Sequence, residues 1–169
     1  LSYASQNHDQ VVALYIYNNA DFDKKREAQK WWLSKSLEIF KKDLSIYKIN
    51  LQILIGDELN IFSKIKKEDN VSIYWNKVYE PDVITKGKKI RNVLLKNQIN
   101  FKYFKGNILN EFQDVTKNDG TPFKVFTPFW RTAEQKYLSL APAKNYIIKK
   151  MTKEKTFFKN CIESKNILP

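Results

Sequence analysis

The chain has 169 residues and a formal net charge of +12, and 43% of its residues are apolar. This length supports one domain of ordinary size with its own core. No apolar run approaches the roughly 20 residues of a membrane-spanning helix, and the first residues do not resemble a signal peptide. A single cysteine, Cys161, excludes an internal disulfide framework and fits the reducing cytoplasm, and with a single histidine, His8, it argues against a His/Cys metal site.

The positive charge has two interpretations. A basic domain suits a polyanionic partner such as DNA. Most of the basic residues are lysines, however, and they are spread over predicted helices, where solvated faces are expected to carry them.

Four apolar runs predict β-strands, and helical spacing of apolar residues predicts helices between them. The strands are Val11–Tyr17, Ile49–Ile55, Val71–Trp75 and Ile99–Phe104. The helices are Lys24–Tyr47, which Asp23 could cap, Gly56–Lys67 and Pro81–Asn97. This alternation predicts an α/β fold, a doubly wound, Rossmann-like parallel sheet with helices on both faces.

The most distinctive motif is TPFKVFTPFWR, which spans Thr121 to Arg131 and follows the turn Asn118-Asp119-Gly120. The turn predicts a hairpin or a tight reversal. Pro128 is predicted in the first turn of a short helix that runs to about Leu138, with Thr127 as its N-cap. The two aromatic residues that follow are then held at the start of a helix.

Together with WNKVYEP (Trp75 to Pro81) and the Trp-Trp-Leu of the first long helix (Trp31 to Leu33), this motif resembles the N-terminal domain of the DNA photolyase/cryptochrome family. The resemblance runs from about Val11 to the C-terminus. In that family an apolar strand, central in the sheet, and a helix precede the segment that begins here at Val11, and only Leu1 to Gln6 match the end of that helix. We therefore expect a fragment truncated at both ends. Residues 1–140 would form the α/β domain, and residues 141–169 an interdomain linker that leads to a missing helical FAD domain.

The resemblance implies a light-harvesting antenna chromophore, which would be a reduced folate, a deazaflavin or a flavin. Loops at the carboxyl ends of parallel strands are where such sheets bind ligands. The side chains that could supply donors and acceptors to a heterocycle in this crevice are Asn18, Lys24, Arg26, Asn76, Glu80 and Asp82. Alternatively, Asn18, Asp23 and Asp57 only cap helices, and Glu80-Pro81 only begins one.

Two groups of aromatic residues have structural alternatives. Phe126, Thr127, Phe129 and Trp130 form either a local core under the predicted hairpin or, by the resemblance, an interdomain surface for the FAD domain. Trp31 and Trp32 are adjacent in a helix, so we expect one in the core and the other at its boundary.

No nucleophile paired with a base and no glycine-rich phosphate loop is found, and Gly87 lies inside a predicted helix. We therefore expect no catalytic residue in this chain, and no repair by the chain alone. The resemblance implies a parent deoxyribodipyrimidine photolyase, in which light-excited reduced FAD splits a pyrimidine dimer flipped out of damaged DNA. A cryptochrome-type blue-light receptor is the alternative. A stand-alone α/β nucleotide-binding or electron-transfer-flavoprotein-like module does not explain TPFKVFTPFWR. The antenna species, the lesion type and the oligomeric state stay open.

Overall fold

The computed structural model describes residues 1–18, 27–111, 113–138 and 146–167. Its strands are β1 (Val12–Tyr17), β2 (Asn50–Ile55), β3 (Ser72–Asn76) and β4 (Asn100–Phe104). Its α-helices are α1 (Ser2–Asn7), α2 (Glu27–Ile46), α3 (Glu58–Ser63), α4 (Pro81–Lys96) and α5 (Phe126–Leu138). Short 3₁₀ turns occur at Lys67–Asp69 and Ser164–Ile167.

The predicted strands are confirmed to within one residue at either end, and the predicted order of strands and helices is confirmed as well. Helix α3 is shorter than predicted. It ends at Ser63, because a separate turn follows in which the Asp69 carboxylate accepts a hydrogen bond of 2.8 Å from the N–H of Lys66. Asn70 then adopts a left-handed conformation, with φ of 49°, and this ends the turn before β3.

The strands form two parallel pairs, as strand–helix–strand units predict. β1 pairs with β2, from Val12 opposite Asn50 to Tyr17 opposite Ile55. β3 pairs with β4, from Ser72 opposite Asn100 to Asn76 opposite Phe104. Within the described residues no strand lies between β1 and β3, so each of them has a partner on one side only. The predicted parallel α/β architecture is confirmed, but the sheet is divided in two.

The burial of the strands reflects this division. In β2 the four residues Leu51–Leu54 are all buried, whereas β1 has two buried residues and β3 has none. A central parallel strand is normally buried on both faces. β1 and β3 fall short of this because both face an open cavity instead of a neighbouring strand.

Two hydrophobic clusters lie on either side of the division. The larger one joins the first strand pair to α2, with Leu37, Leu44, Ile49 and Ile53 among its buried residues. The smaller one joins the second pair to α3 and α4 and contains the buried residues Ile65, Leu94 and Ile99. Each strand–helix–strand unit therefore buries most of its own core, and Tyr74 of β3 also packs against the larger cluster.

Residues 146–167, here called the C-terminal strap, lie along β2 and α2. Gln52, a buried residue of β2, holds the strap at one point: its side-chain amide donates to the carbonyl oxygen of Phe158 at 2.8 Å. Its Oε1 accepts from the backbone N–H groups of Phe157, at 2.9 Å, and of Phe158, at 3.0 Å. Met151 is buried in the larger cluster. The predicted linker thus covers the α/β core along this stretch, and its role as a connection to a second domain stays a prediction.

The two tryptophans of α2 are both exposed, so the prediction that one of them lies in the core is wrong. The buried side of α2 carries Ser34, Leu37 and Leu44. Trp32 falls on the opposite side of the helix from these residues, because each residue advances the helix by about 100°.

No helix in the described part of the chain has the length and apolar character needed to cross a membrane.

Candidate functional site

A cavity of about 1090 Å³ separates β1 from β3. All residues of both strands except the last one of each line it, together with Leu37 and Phe40 of α2 and Gly87 and Ile90 of α4. Most of these side chains are apolar. Tyr15, which also lines the cavity, has a phenol whose pKa is raised, first by burial and then by the neighbouring Tyr17.

The cavity lies where the direction of the chain connections reverses. From β1 the chain passes through α2 to β2 on one side, and from β3 it passes through α4 to β4 on the other side. Open α/β sheets bind ligands at such a switch point, outside the carboxyl ends of the strands. The carboxyl end of the cavity is therefore the best-placed candidate site.

Apolar side chains line the cavity around this end, and an ion pair and a helix cap fix the start of α3 beside it. Ile16 and Trp75 line the cavity near the ends of β1 and β3. Glu58, in the first turn of α3, forms an ion pair with Lys86 of α4. Asp57 caps α3 by accepting a hydrogen bond of 3.0 Å from the N–H of Asn60, which confirms its predicted capping role.

The loop after β3 is fixed by three side chains, here called the latch: Lys77, Tyr79 and Glu111. One oxygen of Glu111 accepts from Lys77 Nζ at 2.9 Å and from the Tyr79 hydroxyl at 2.8 Å. The bond from Lys77, and then that from Tyr79, lowers the pKa of the Glu111 carboxyl, and the same contact with Glu111 raises the pKa of Lys77. The latch holds in place the segment that carries Asn76 and Glu80.

A glycine allows this loop to pack closely. The N–H of Gly106 donates to the Tyr79 hydroxyl at 3.2 Å. A Cβ at this position would lie 2.0 Å from the carbonyl oxygen of Lys77, which is far inside van der Waals contact. The latch leaves no local pattern in the sequence, because Glu111 is more than thirty residues from its partners. Only the WNKVYEP motif, which contains two of the three residues, drew attention to this loop.

The predicted crevice residues lie around the same end of the sheet. Asn18 directly follows β1 and is half-buried, and Asn76 is the exposed last residue of β3. Glu80 is the N-cap residue of α4, without a side-chain cap bond, and Asp82 lies in the first turn of that helix. Lys24 and Arg26 lie outside the described residues. None of the four described crevice residues lines the cavity itself.

The predicted interdomain residues form the first turn of α5. Phe126 and Trp130 stack with their ring centres 6.2 Å apart, and both rings are exposed. Phe129 is half-buried and meets Phe123 edge-on at 6.4 Å. Thr127 is exposed.

One detail of this segment, the N-cap of α5, was predicted wrongly, and the tight reversal before it is confirmed. Helix α5 begins at Phe126, so Thr127 is a helical residue and not the N-cap. Pro128 is tolerated as the third residue because N–H groups in the first turn have no partner in the helix. The reversal at Asn118–Gly120 is a turn in which Asp119 accepts from the N–H of Thr121 at 2.9 Å, but no strands flank it in the described residues.

Within the described ranges, no three His, Cys, Asp or Glu side chains lie close enough together to hold a metal ion.

The sequence matches a known protein family. The sequence model for "DNA photolyase" matches residues 1–146. The deoxyribodipyrimidine photo-lyase of Agrobacterium fabrum is 30% identical over 117 residues, which make up 69% of this chain and 24% of that protein. Cryptochrome-1 of Arabidopsis thaliana is 25% identical over 126 residues, 71% of this chain and 18% of that protein.

Solved structures share the fold. A bacterial class III photolyase from Agrobacterium tumefaciens superposes with a TM-score of 0.77 at 25% identity, over 99% of this chain and 34% of that one. An archaeal photolyase from Sulfolobus tokodaii superposes with a TM-score of 0.63 at 19% identity, over 98% of this chain and 36% of that one. The chain thus spans between 18% and 36% of the length of these relatives. With a family match over most of its sequence, the chain belongs to the DNA photolyase family.

Proposed function

We propose that this chain is the antenna-binding N-terminal domain of a deoxyribodipyrimidine photolyase. One observation carries the proposal: the fold follows that of a class III photolyase along nearly the whole chain, with a cavity at the switch point of the sheet. The family match and the photolyase relative of 30% identity point the same way.

In the whole protein, reduced FAD in a second domain would supply the electron that splits a pyrimidine dimer in damaged DNA, after light excitation. This chain's own residues have other tasks. The crevice at the carboxyl ends of β1 and β3 would hold the antenna chromophore, and the excess of positive charge would attract DNA. The exposed rings of Phe126 and Trp130, with Thr127 and the half-buried Phe129, would pack against the FAD domain, because stacked aromatic rings contribute large apolar area to an interface.

The antenna would be a flat heterocycle: a reduced folate, a deazaflavin or a flavin. Asn18 and Asn76 offer amide donors and acceptors, and Glu80 and Asp82 offer acceptors, at the end of the sheet where such ligands bind. The solved structure of the Sulfolobus tokodaii photolyase is described as holding two FAD molecules, with an implied novel light-harvesting cofactor. A flavin therefore belongs among the probes.

Binding to the purified chain tests this proposal. FMN, FAD, a deazaflavin and a reduced folate would each be titrated while tryptophan fluorescence is recorded. We expect saturable binding of one class, weakened about tenfold or more in the double variant Asn76→Ala/Asp82→Ala, since each lost polar contact costs about 1 kcal/mol or more. Asn92→Ala, an exposed change on α4 away from the crevice, should bind as the wild type does. If no probe binds, or if both variants weaken binding equally, the crevice is not the antenna site.

A cryptochrome is the second candidate, favoured by the 25% identity to Cryptochrome-1. The two differ in whether the whole protein repairs DNA. Loss of thymine dimers from irradiated DNA, under light and with the full-length protein, would support a photolyase. Light-dependent change in the flavin spectrum without repair would support a cryptochrome.

A further inference from the structure

The positive charge of the chain is concentrated in one segment. Residues 83–110 contain six lysines, one arginine and no acidic residue. The whole chain has 30 basic and 18 acidic residues, so the rest of it carries 23 and 18, which nearly balance. A lysine-rich composition alone would spread the excess evenly along the chain. Basic residues clustered along one helix are instead typical of a surface that binds a polyanion.

The outer face of α4, which lies in this segment, carries three of the lysines. Lys88, Lys89 and Lys96 are exposed, and so is Asn92, which lies between them. At about 100° per residue, the four side chains fall within an arc of about 100°, opposite the buried Leu94. They extend over about 12 Å along the helix axis. We propose that this surface, here called the basic face, binds the phosphate backbone of duplex DNA.

No acidic side chain neutralises the basic face. Within the described residues, none of its three lysines forms an ion pair. The one acidic residue of α4, Asp82, lies in the first turn, about 9 Å along the axis before Lys88. The positive charge of the face is therefore available to a partner.

The lysines of α2 provide a contrast. Lys35 and Lys42 pair with Glu38 at 3.4 and 3.2 Å, and Lys41 pairs with Glu163 at 3.5 Å. With four lysines and three acidic residues, α2 is close to neutral. It therefore has exposed lysines, as the basic face does, but not the excess of positive charge that attracts a polyanion.

A recess continues the basic face beyond the end of α4. It has a volume of about 270 Å³, and its lining residues are Lys66, Lys67, Glu68, Lys96, Asn97 and Gln98. The Lys67 ammonium donates to the side-chain oxygen of Gln98 at 2.8 Å, which holds this lysine at the recess. Ammonium and amide groups donate to phosphate oxygens without reading the base sequence. The face is therefore suited to any duplex.

Two observations favour DNA over an anionic membrane, the other surface that a basic helix suits. A helix that lies on a membrane inserts its apolar face into the lipid. The apolar side of α4 is already used, because Leu94 is buried in the smaller cluster and Ile90 packs against it. The family to which the chain belongs is also one of DNA enzymes by name. The inference rests on the part of the proposed function in which the chain attracts DNA, and not on the antenna.

Salt-dependent binding to a short duplex, measured by fluorescence anisotropy on the full chain, tests the basic face. The variant Lys88→Ala/Lys89→Ala/Lys96→Ala removes three phosphate contacts. Each contact contributes about 0.9 to the slope of log K against log salt, so the slope should become shallower by about 2 to 3. Affinity at about 50 mM salt should fall tenfold or more. Alanine favours helix, and far-UV circular dichroism would verify that the variant is folded.

The matched control is Lys35→Ala/Lys41→Ala/Lys42→Ala on α2, which lowers the net charge by the same amount. Its slope should stay within about 1 of the wild-type value, because these lysines make no phosphate contact. Equal losses in the two variants would mean that net charge and not this face determines binding, and would overturn the proposal. So would a wild type that does not bind the duplex at about 50 mM salt.

Vesicles of phosphatidylserine and phosphatidylcholine provide the alternative polyanion. Tighter binding of the wild type to these vesicles than to the duplex, at the same salt concentration, would assign the face to a membrane and overturn the proposal. Weaker binding to the vesicles is the expected result. None of these measurements uses a chromophore or light. Failure of the basic face is therefore distinguishable from failure of the antenna site.

Discussion

Gln52 shows how a single buried side chain determines the course of the chain far away in sequence. Its amide group uses both its donor and its acceptor capacity on the backbone around Phe157 and Phe158. Hydrogen bonds of this kind contribute little net free energy when intact, but their loss leaves buried groups without partners. Gln52 therefore stabilises the strap because any other strap conformation would leave its buried amide without hydrogen-bond partners.

Replacing Gln52 with alanine should lower the free energy of unfolding by about 2 to 3 kcal/mol, because the N–H groups of two strap residues lose their buried acceptor. Urea denaturation of the full chain would measure this. Asn50→Ala is the control: Asn50 makes one exposed side-chain bond to the strap, to Thr156, so its loss should cost clearly less. Equal effects of the two changes would show that Gln52 is not the main attachment of the strap.

Glu111 should make the stability of the chain depend on acid pH. Its pKa is lowered in the folded state by Lys77 and then Tyr79, so its contribution is present above the unfolded value of about 4.3 and is lost as the pH falls through the folded value. In Glu111→Gln this part of the stability loss at acid pH should vanish. Urea midpoints from neutral pH down to pH 3 would show it. Glu134→Gln, an exposed change on α5, should keep the full stability loss at acid pH. If the urea midpoint of Glu111→Gln depends on pH as that of the wild type does, the contribution of the latch is contradicted.

At the scale of elements, the sequence predicted what depends on local pattern. Apolar runs predicted the four strands, and Pro81 marked the start of α4. The pairing of Glu111 with Lys77 depends on where two distant loops meet, which no local pattern records. The exposure of Trp31 and Trp32 was missed for a related reason. Apolar spacing alone predicts a buried face, and α2 carries a second apolar stripe that its own sheet does not cover.

Two glycines provide opposite tests of the packing, one beside the cavity and one in the loop against Lys77 and Tyr79. Gly87 lies within α4, and a Cβ there would meet nothing within 4 Å. Gly87→Ala should therefore stabilise the chain by about 0.5 to 1 kcal/mol, since glycine weakens a helix interior by that amount. Gly106→Ala should destabilise it, because its Cβ would collide with the backbone of Lys77. Thermal unfolding should show a higher melting temperature for Gly87→Ala and a lower one for Gly106→Ala. Destabilisation by Gly87→Ala would mean that the cavity is smaller than described.

At the scale of the whole molecule, the charge of +12 should produce weak DNA binding without sequence preference. We expect a dissociation constant on the order of 10⁻⁴ to 10⁻⁶ M that rises steeply with salt, as for other non-specific basic domains. Fluorescence anisotropy with two unrelated duplexes at several salt concentrations would measure it. Nanomolar affinity at physiological salt, or a preference for one duplex, would reveal a recognition surface on this chain.

The attachment of the strap has a consequence for cooperativity. The rings of Phe157 and Phe158 pack against the smaller cluster, while Gln52, which holds their backbone, belongs to the β1–β2 pair. The strap therefore crosses the cavity and joins two halves that share no strand pairing in the described residues. A protein built in this way behaves as two folding units, and the strap shares their coupling with α1 and the following His8, which lies 2.7 Å from the Tyr74 hydroxyl of β3. Weakening the strap should reduce this coupling, so that the β3–β4 unit, which has the smaller core, melts before the β1–β2 unit.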